Sequence, residues 1–334
     1  MNNVIVIHHN DDDGRCAGAI VYHELLPVFA NATPDDFYEY RYGYKLNVRA
    51  ESIENCRDIY IVDVSIDNEL LDFIQKVYDV RKDNMPNIVF IDHHQTSKDW
   101  LDEHKDDVFH VFMKYTKRFV RIGISGSLLT WLWSCMTEEE RENIPPFDFT
   151  AGRTHLAINV GQKNQREYKI PEVVRYVDDW DVWIHDIPST KYFNLGFGME
   201  KSKHPTSEVW ANAIYGDIGY LEKEYISKGR ILWGYQNSLN ARNLSRAFET
   251  SINGIKCLAL NSTGNSMVFG NKVAEYPFVV LFYYDGVNKL WKYSFYSDET
   301  SGVDVSEIAK TFDGGGHVHA SGCHSKKFIF DDEL

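Results

Sequence analysis

The chain has 334 residues, with 35 Lys and Arg against 49 Asp and Glu, a formal charge of −14 with histidine neutral; 43% of its residues are hydrophobic and 25% charged. This is ordinary globular usage and excludes wholesale disorder, collagen and coiled coil, while at one domain per roughly 150 residues the length predicts two domains. The acidic balance argues against tight duplex DNA binding, which needs a dense basic face to neutralise phosphates, and no apolar run reaches the roughly 18 residues of a membrane span, so no membrane partner is expected.

In chain order, Val4–His8 reads as a buried strand and Gly14–Leu26 as the helix after it. Ile59–Val62, closed by Asp63, and Ile88–Ile91, closed by Asp92, read as further strands, with Asn68–Val77 helical between them. Near-continuous apolar strands separated by helices predict a parallel sheet covered on both faces. Ser127–Met136 reads as a buried helix, Glu138–Glu142 as a charged surface stretch before a turn at Pro145–Pro146, and Glu172–Val177 as a helix leading into an acidic knot, Asp178–Asp181.

Pro188 to Pro205 reads as loop-rich, and Tyr220–Phe248 as one long amphipathic helix with Leu221, Tyr225, Leu232, Tyr235 and Leu239 at helical spacing. Strands are expected at Ile255–Leu260, Phe278–Tyr284 and Lys289–Tyr296, with a turn at Asp285-Gly286. A short helix capped by Asp304 and Glu307 then ends in Gly314-Gly315-Gly316. The expected organisation is α/β: residues 1–190 as a parallel-sheet domain, 191–249 as linker and connecting helix, and 250–334 as a smaller mixed α/β domain. Five cysteines (Cys16, Cys56, Cys135, Cys257, Cys323), odd in number and without a C-x-x-C pair, read as reduced thiols in a cytoplasmic setting.

Three predicted strands run into metal-type side chains: the first into His8, His9, Asp11 and Asp13, the second into Asp63, the third into Asp92, His93 and His94. In an open parallel sheet the C-terminal ends of strands share one edge, where ligands bind. Clustered carboxylates stay ionised together only with a cation among them, and a mixed imidazole–carboxylate set suits Mn²⁺ well, Zn²⁺ or Mg²⁺ less clearly. Each motif alone is also explained by a turn, a helix cap or a solvated histidine pair; their shared place at strand ends favours a metal site.

His9-x-Asp11-x-Asp13-Gly14, Asp63 and Asp92-His93-His94 resemble the first three motifs of the DHH phosphoesterase superfamily, and Tyr176–Asp181 resembles the fourth. Gly314-Gly315-Gly316-His317 with Ala320-Ser321-Gly322 resembles the glycine-rich signature of the family's associated substrate-binding domain. The resemblance implies two adjacent divalent ions, Mn²⁺ first and Mg²⁺ second. His9 and Asp11 would hold one ion, Asp63 would bridge both, and Asp13, His93 and a fourth-motif acid would hold the other. Asp179 is the expected fourth-motif ligand, with Asp178 and Asp181 as alternatives.

His94 would face the substrate phosphate and Asp92 would orient an imidazole from behind, as metal-bound histidines require. The active site would lie in the cleft between the domains. Two ions roughly 3.5–4 Å apart can share a water, lower its pKa and stabilise an in-line displacement at phosphorus.

The C-terminal glycines, with His317, are expected to hold phosphate through backbone amides; His317, His319, Cys323 and His324 match no zinc spacing. The family usually carries Ser-x-Arg-Ser on a strand of that domain. Here the stretch is Ser294-Phe295-Tyr296-Ser297, with Tyr296 in place of the arginine, and Lys292 or Lys310 are the candidate compensating cations. Phe295, Tyr296, Trp180 and Trp183 are candidate base-stacking groups, whereas Trp131 and Trp133 read as core. Lys114, Lys117, Arg118 and Arg121 read as a solvated face.

The implied activity is hydrolysis of phosphodiester bonds in short single-stranded oligonucleotides or linear and cyclic dinucleotides, and of the 3′-phosphate of bisphosphate nucleotides. A pyrophosphate or polyphosphate hydrolase and a nucleotide-binding sponge or sensor without turnover are the alternatives. The oligomeric state stays open, a homodimer being one option.

Overall fold

Val4–His9 (β1), Phe37–Tyr40 (β2), Asp58–Val62 (β3), Asn87–Asp92 (β4) and Thr116–Val120 (β5) pair in parallel in the order β2-β1-β3-β4-β5. Because strand side chains alternate, Val4, Val6, Tyr60, Val62, Val89 and Ile91 face one core and Ile5, Ile7, Ile59, Ile61, Ile88 and Phe90 face another. Helices Asp12–Ile20, Gly126–Cys135 and Glu172–Asp181 contribute to the first core, and Ala50–Asn55, Asn68–Arg81 and Val111–Tyr115 to the second. Burying each such aliphatic side chain contributes about 1.5–3 kcal/mol, so β1, β3 and β4 have little freedom to shift register. Their C-terminal ends are thereby held side by side.

The computed structural model describes residues 4–26, 32–142, 156–160 and 164–331; the turn expected at Pro145–Pro146 lies outside them. The chain divides into two compact units, residues 1–230 and 231–334. In the first, Leu156–Val160 (β6) and Asn164–Tyr168 (β7) form a separate antiparallel hairpin. In the second, Phe248–Ile252 (β8), Ile255–Asn261 (β9), Phe278–Asp285 (β10), Leu290–Tyr296 (β11), Gly315–His317 (β12) and Ala320–Ser325 (β13) make one sheet, ordered β12-β13-β11-β10-β9-β8. It is mixed: β9 and β10 are parallel and the remaining pairs antiparallel. The α/β class, with a parallel sheet in the N-terminal unit and a mixed sheet in a smaller C-terminal unit, is as the sequence predicts.

Several elements differ from expectation. Pro188–Pro205 is not mainly loop: it holds a helix, Thr190–Phe197, whose Phe193 and Phe197 are buried in the first core, joined there by Trp210 of helix Glu208–Tyr215. Helix Glu172–Asp181 runs through the acidic knot instead of stopping before it. The long helical run spans Ile218–Leu244 with a π-helical stretch at Glu222–Ile226, and Phe248 already belongs to β8. Beyond Ser227 only Gly229 of that run is buried, so it is less amphipathic than its spacing suggests. Trp133 is core, with Arg141 over its ring. In the basic stretch, Arg118 donates to the carbonyls of Met113 and Thr116 and Arg121 to that of Val120. Among the described residues no helix is long and apolar enough to cross a membrane.

Candidate metal centre

Each of the three strands hands its last turn to the same edge. After β1, Asp11 caps helix Asp12–Ile20: its Oδ1 accepts from the Gly14 amide at 2.9 Å, and its Oδ2 lies 2.6 Å from His9 Nδ1. After β3, Asp63 adopts a left-handed backbone, φ 58°, while its amide still donates to the Ile91 carbonyl at 2.9 Å. A non-glycine residue with positive φ costs energy and is common at functional sites. After β4, His93 and His94 lead into helix Gln95–Glu103, and His94 Nδ1 lies 2.7 Å from Asp92 Oδ1.

Two helices complete the edge. The first amides of helix Gly126–Cys135, at Gly126 and Ser127, donate to the two oxygens of Asp13 at 2.7 and 2.9 Å, as a helix N-terminus favours. Gly126 is obligatory here: a Cβ would stand 2.6 Å from Asp63 Cβ. Ser125 caps the same helix and its amide donates to Asp178 at 2.7 Å. From helix Glu172–Asp181, Asp181 reaches the edge itself.

His93 Nε2 is central to the arrangement, 3.1 Å from Asp63 Oδ1, 3.5 Å from Asp181 Oδ2 and 3.9 Å from Asp13 Oδ2. His9 Nδ1 is 3.9 Å from Asp63 Oδ2. Ligand atoms of His9, Asp11 and Asp63, of Asp13, His93 and Asp181, and of Asp63, His93 and His94 lie within 4.8 Å of one another in each group. Asp63 therefore belongs to two groups that also contain His9 or His93, where a shared ligand would sit.

Electrostatics favours a cation at this edge. Asp63 is 1% exposed, and neither of its oxygens has a hydrogen-bond donor among the described residues; Asp181 Oδ2 is likewise buried without one. Burial, then repulsion by Asp13 and Asp11, pushes the Asp63 carboxyl well above the carboxylate range, and the same causes push Asp181 to about 9. Burial, the largest influence, works against ionisation of Asp92 too, but the hydrogen bonds from His94 and Ser97 and the nearby imidazoles together outweigh it and lower the pKa. Burial opposes the charged form of His94 as well, but the hydrogen bond and charge of Asp92 with the charges of Asp13 and Asp11 together raise it, whereas burial lowers His93. Buried carboxylates without donors are costly. A cation among them removes the repulsion and supplies the partner, so this donor set fits a divalent metal.

Asp179, the expected fourth-motif acid, is not in the cluster. Its buried carboxylate accepts from the Asp186 amide at 2.7 Å, the Ile187 amide and the Thr190 hydroxyl at 2.5 Å. Helical geometry is the reason: at about 100° per residue, Asp178 and Asp181 share a face and Asp179 turns away. Tyr42 was not legible as a neighbour: its ring lies 5.2 Å from that of His9 and 6.4 Å from that of His94. Lys203, also missed, pairs with Asp12 at 2.5 Å. Both come from stretches with no motif around them.

In the second unit, Phe295 is fully buried in a core with Tyr293 and Phe278, so it does not offer a stacking face. Tyr296, on the opposite face of β11, packs partly buried against the Leu258–Phe269 cluster. Gly314 and Gly316 have a packing explanation: a Cβ on Gly314 would lie 2.3 Å from the Gly322 carbonyl, and Gly316 has φ 141° with Ser321 Cα 2.6 Å from its Cβ position. Gly315 is unconstrained. The side chain of His317 lies outside the described residues. Lys292 pairs with Asp285 at 3.0 Å and Lys310 with Glu307 at 2.5 Å.

Beside the acids, a cavity of about 430 Å³ is lined by Asp11, Asp13, Asp181, Tyr176, Trp180, Trp183 and Asn194, among others, all in the first unit.

No family model matches the chain. A curated relative, the uncharacterised protein R106 of Acanthamoeba polyphaga mimivirus, is 26% identical over 170 residues, covering 46% of this chain and 37% of that protein. The match thus spans little more than a third of the relative's length. Three solved structures are similar over most of the chain. The DHH domain of a member of the s1p family of ribosomal proteins is 14% identical, covers 97% of this chain and 82% of its own, and has a TM-score of 0.53. The pGpG-specific phosphodiesterase PggH from Vibrio cholerae is 12% identical over 96% and 92%, with a TM-score of 0.48. The exonuclease RecJ bound to manganese is 14% identical over 96% and 85%, with a TM-score of 0.41. Of the three, the DHH domain exceeds 0.5, and with it this chain shares its fold.

Proposed function

We propose that this chain is a divalent-metal-dependent phosphoesterase of the DHH type. Its proposed substrates are short single-stranded oligonucleotides and dinucleotides, followed by cyclic dinucleotides and 3′,5′-bisphosphate nucleotides. The observation that carries the reading is the buried, donorless carboxylate of Asp63 set between His9–Asp11 and Asp13–His93–Asp181. In this assignment His9 and Asp11 would hold one ion, Asp13, His93 and Asp181 would hold the other, and Asp63 would serve both. Two bound divalent ions, Mn²⁺ by preference, would neutralise the substrate phosphate and support displacement of the ester oxygen by water.

The chain's own groups have separable tasks. Asp92 accepts from His94 Nδ1–H and its charge favours the imidazolium, whose Nε2–H could then donate to a phosphate oxygen. The amides of Gly126 and Ser127 hold Asp13 in one rotamer. Lys203, on Asp12, adds a local cation to an otherwise acidic edge, which suits an anionic substrate on a protein of net charge −14.

A substrate panel with Mn²⁺ tests the reading: dinucleotides, short RNA and DNA, cyclic dinucleotides, a bisphosphate nucleotide and pyrophosphate, with products identified by mass. Turnover of nucleotide esters is expected. Cleavage of pyrophosphate alone would make the chain a phosphoanhydride hydrolase. Recovery of every nucleotide intact after denaturation would make it a binder.

A further inference from the structure

We infer that the cavity beside Asp11, Asp13 and Asp181 is a nucleobase pocket whose stacking wall is Trp183 with Trp180. The inference rests on the phosphoesterase reading and names what that site recognises besides phosphate. Trp183 is 53% exposed, a large apolar surface left to water at the rim of a cavity. It is not isolated: Trp180 and Trp183 lie 5.4 Å apart, and His185 sits 4.4 Å from Trp183 and 5.2 Å from Trp180, ring centre to ring centre. Burial lowers the His185 pKa, so this third ring is neutral and the wall carries no charge.

The wall is also anchored. Trp183 and His185 both adopt φ 58°, and the segment beyond them is tied down by Asp179, which accepts from Asp186, Ile187 and Thr190. Asp179 is thus a positioning residue for the aromatic loop. The two ends of the cavity differ in character, acidic at Asp11, Asp12, Asp13 and Asp181 and uncharged at the indoles. An anionic group meets only carboxyl side chains at the Asp11–Asp13–Asp181 end unless cations lie among them, whereas a neutral planar base needs no counter-charge. Aromatic walls hold bases by stacking, whatever their sequence, and the Asn194 amide at the lining offers both a donor and an acceptor to a base edge. A polyphosphate chain, charged throughout, has no group to place against the indoles.

The test is calorimetric titration of the full, Mn²⁺-supplied chain with adenosine and guanosine 5′-monophosphates and with ribose 5-phosphate, which keeps the phosphate and lacks the base. Wild type should bind the nucleotides more tightly than the sugar phosphate. Trp183→Ala should weaken the nucleotides by roughly 5- to 150-fold, the usual range for one stacked base, and leave ribose 5-phosphate unchanged. Trp183→Phe should restore most of the loss, and Trp180→Ala should act in the same direction. Equal affinities for all three ligands in wild type, or equal weakening of all three in Trp183→Ala, would overturn the proposal. Dinucleotide hydrolysis is scored separately: base-dependent binding without turnover of any ester would end the phosphoesterase reading and leave the pocket standing.

Discussion

Replacing Asp63 by Asn isolates the charge at the centre of the site. Asparagine has the same shape and tolerates the left-handed backbone that Asp63 adopts, so the fold should survive. A ligand present at 100 times its Kd stabilises the folded state by about 2.7 kcal/mol. For a unit of 230 residues, each kcal/mol moves Tm by about 2–4 °C, so saturating Mn²⁺ should raise the wild-type Tm by about 5–11 °C. In Asp63→Asn most of that rise should vanish, because both metal groups lose a shared carboxylate, while the metal-free Tm stays equal or increases.

The pH dependence has a definite sign. The folded-state pKa of Asp63 is raised, so the metal-free folded chain holds a proton that the unfolded chain releases. Stability therefore falls as pH rises from the ordinary carboxylate pKa towards the raised one, and the variant should show a shallower fall. Thermal unfolding with and without Mn²⁺ after chelator treatment measures all of this. A variant whose Tm still rises with Mn²⁺ as far as wild type would refute the assignment of Asp63.

The two acids of the fourth motif should separate in the same assay. Asp181→Asn should lose the Mn²⁺-dependent rise, whereas Asp179→Ala should keep it and lower metal-free stability by about 1–3 kcal/mol for each donor left buried and unpaired; the reverse pattern would restore Asp179 as ligand. Gly126→Ala should cost about 1–3 kcal/mol through overpacking and weaken Mn²⁺ binding, since the added methyl displaces Asp63; unchanged metal affinity by calorimetry would contradict that coupling. After chelation, Mn²⁺ should restore hydrolysis better than Ca²⁺, which prefers more oxygen ligands in looser geometry, and equal rescue would count against a site rich in imidazole.

Much of the first unit was legible because β1, β3 and β4 are continuous apolar runs that end abruptly in Asp or His, a pattern that marks both a buried strand and its functional end. The edge strands were not. Phe37–Tyr40 and Thr116–Val120 mix aromatic with charged residues, as half-covered strands do, and so resemble loops. What separates Asp181 from Asp179 is the continuation of the helix through Asp178, because orientation then follows from position on the turn. Phe295 departs from expectation for the complementary reason. Period-two alternation along β11 turns Tyr293 and Phe295 into the core and Ser294 and Tyr296 to the other face, a signal present in the sequence but outweighed by proximity to the glycines.

Both oxygens of Asp13 already hold the opening amides of helix Gly126–Cys135. This single side chain is therefore a hinge pin between a piece of secondary structure and the acidic edge. A glutamate there, longer by one methylene, would have to choose between the amides and the edge. Fraying of that helix, by heat or by a proline near its start, should be felt as a softened grip on whatever Asp13 holds at that edge.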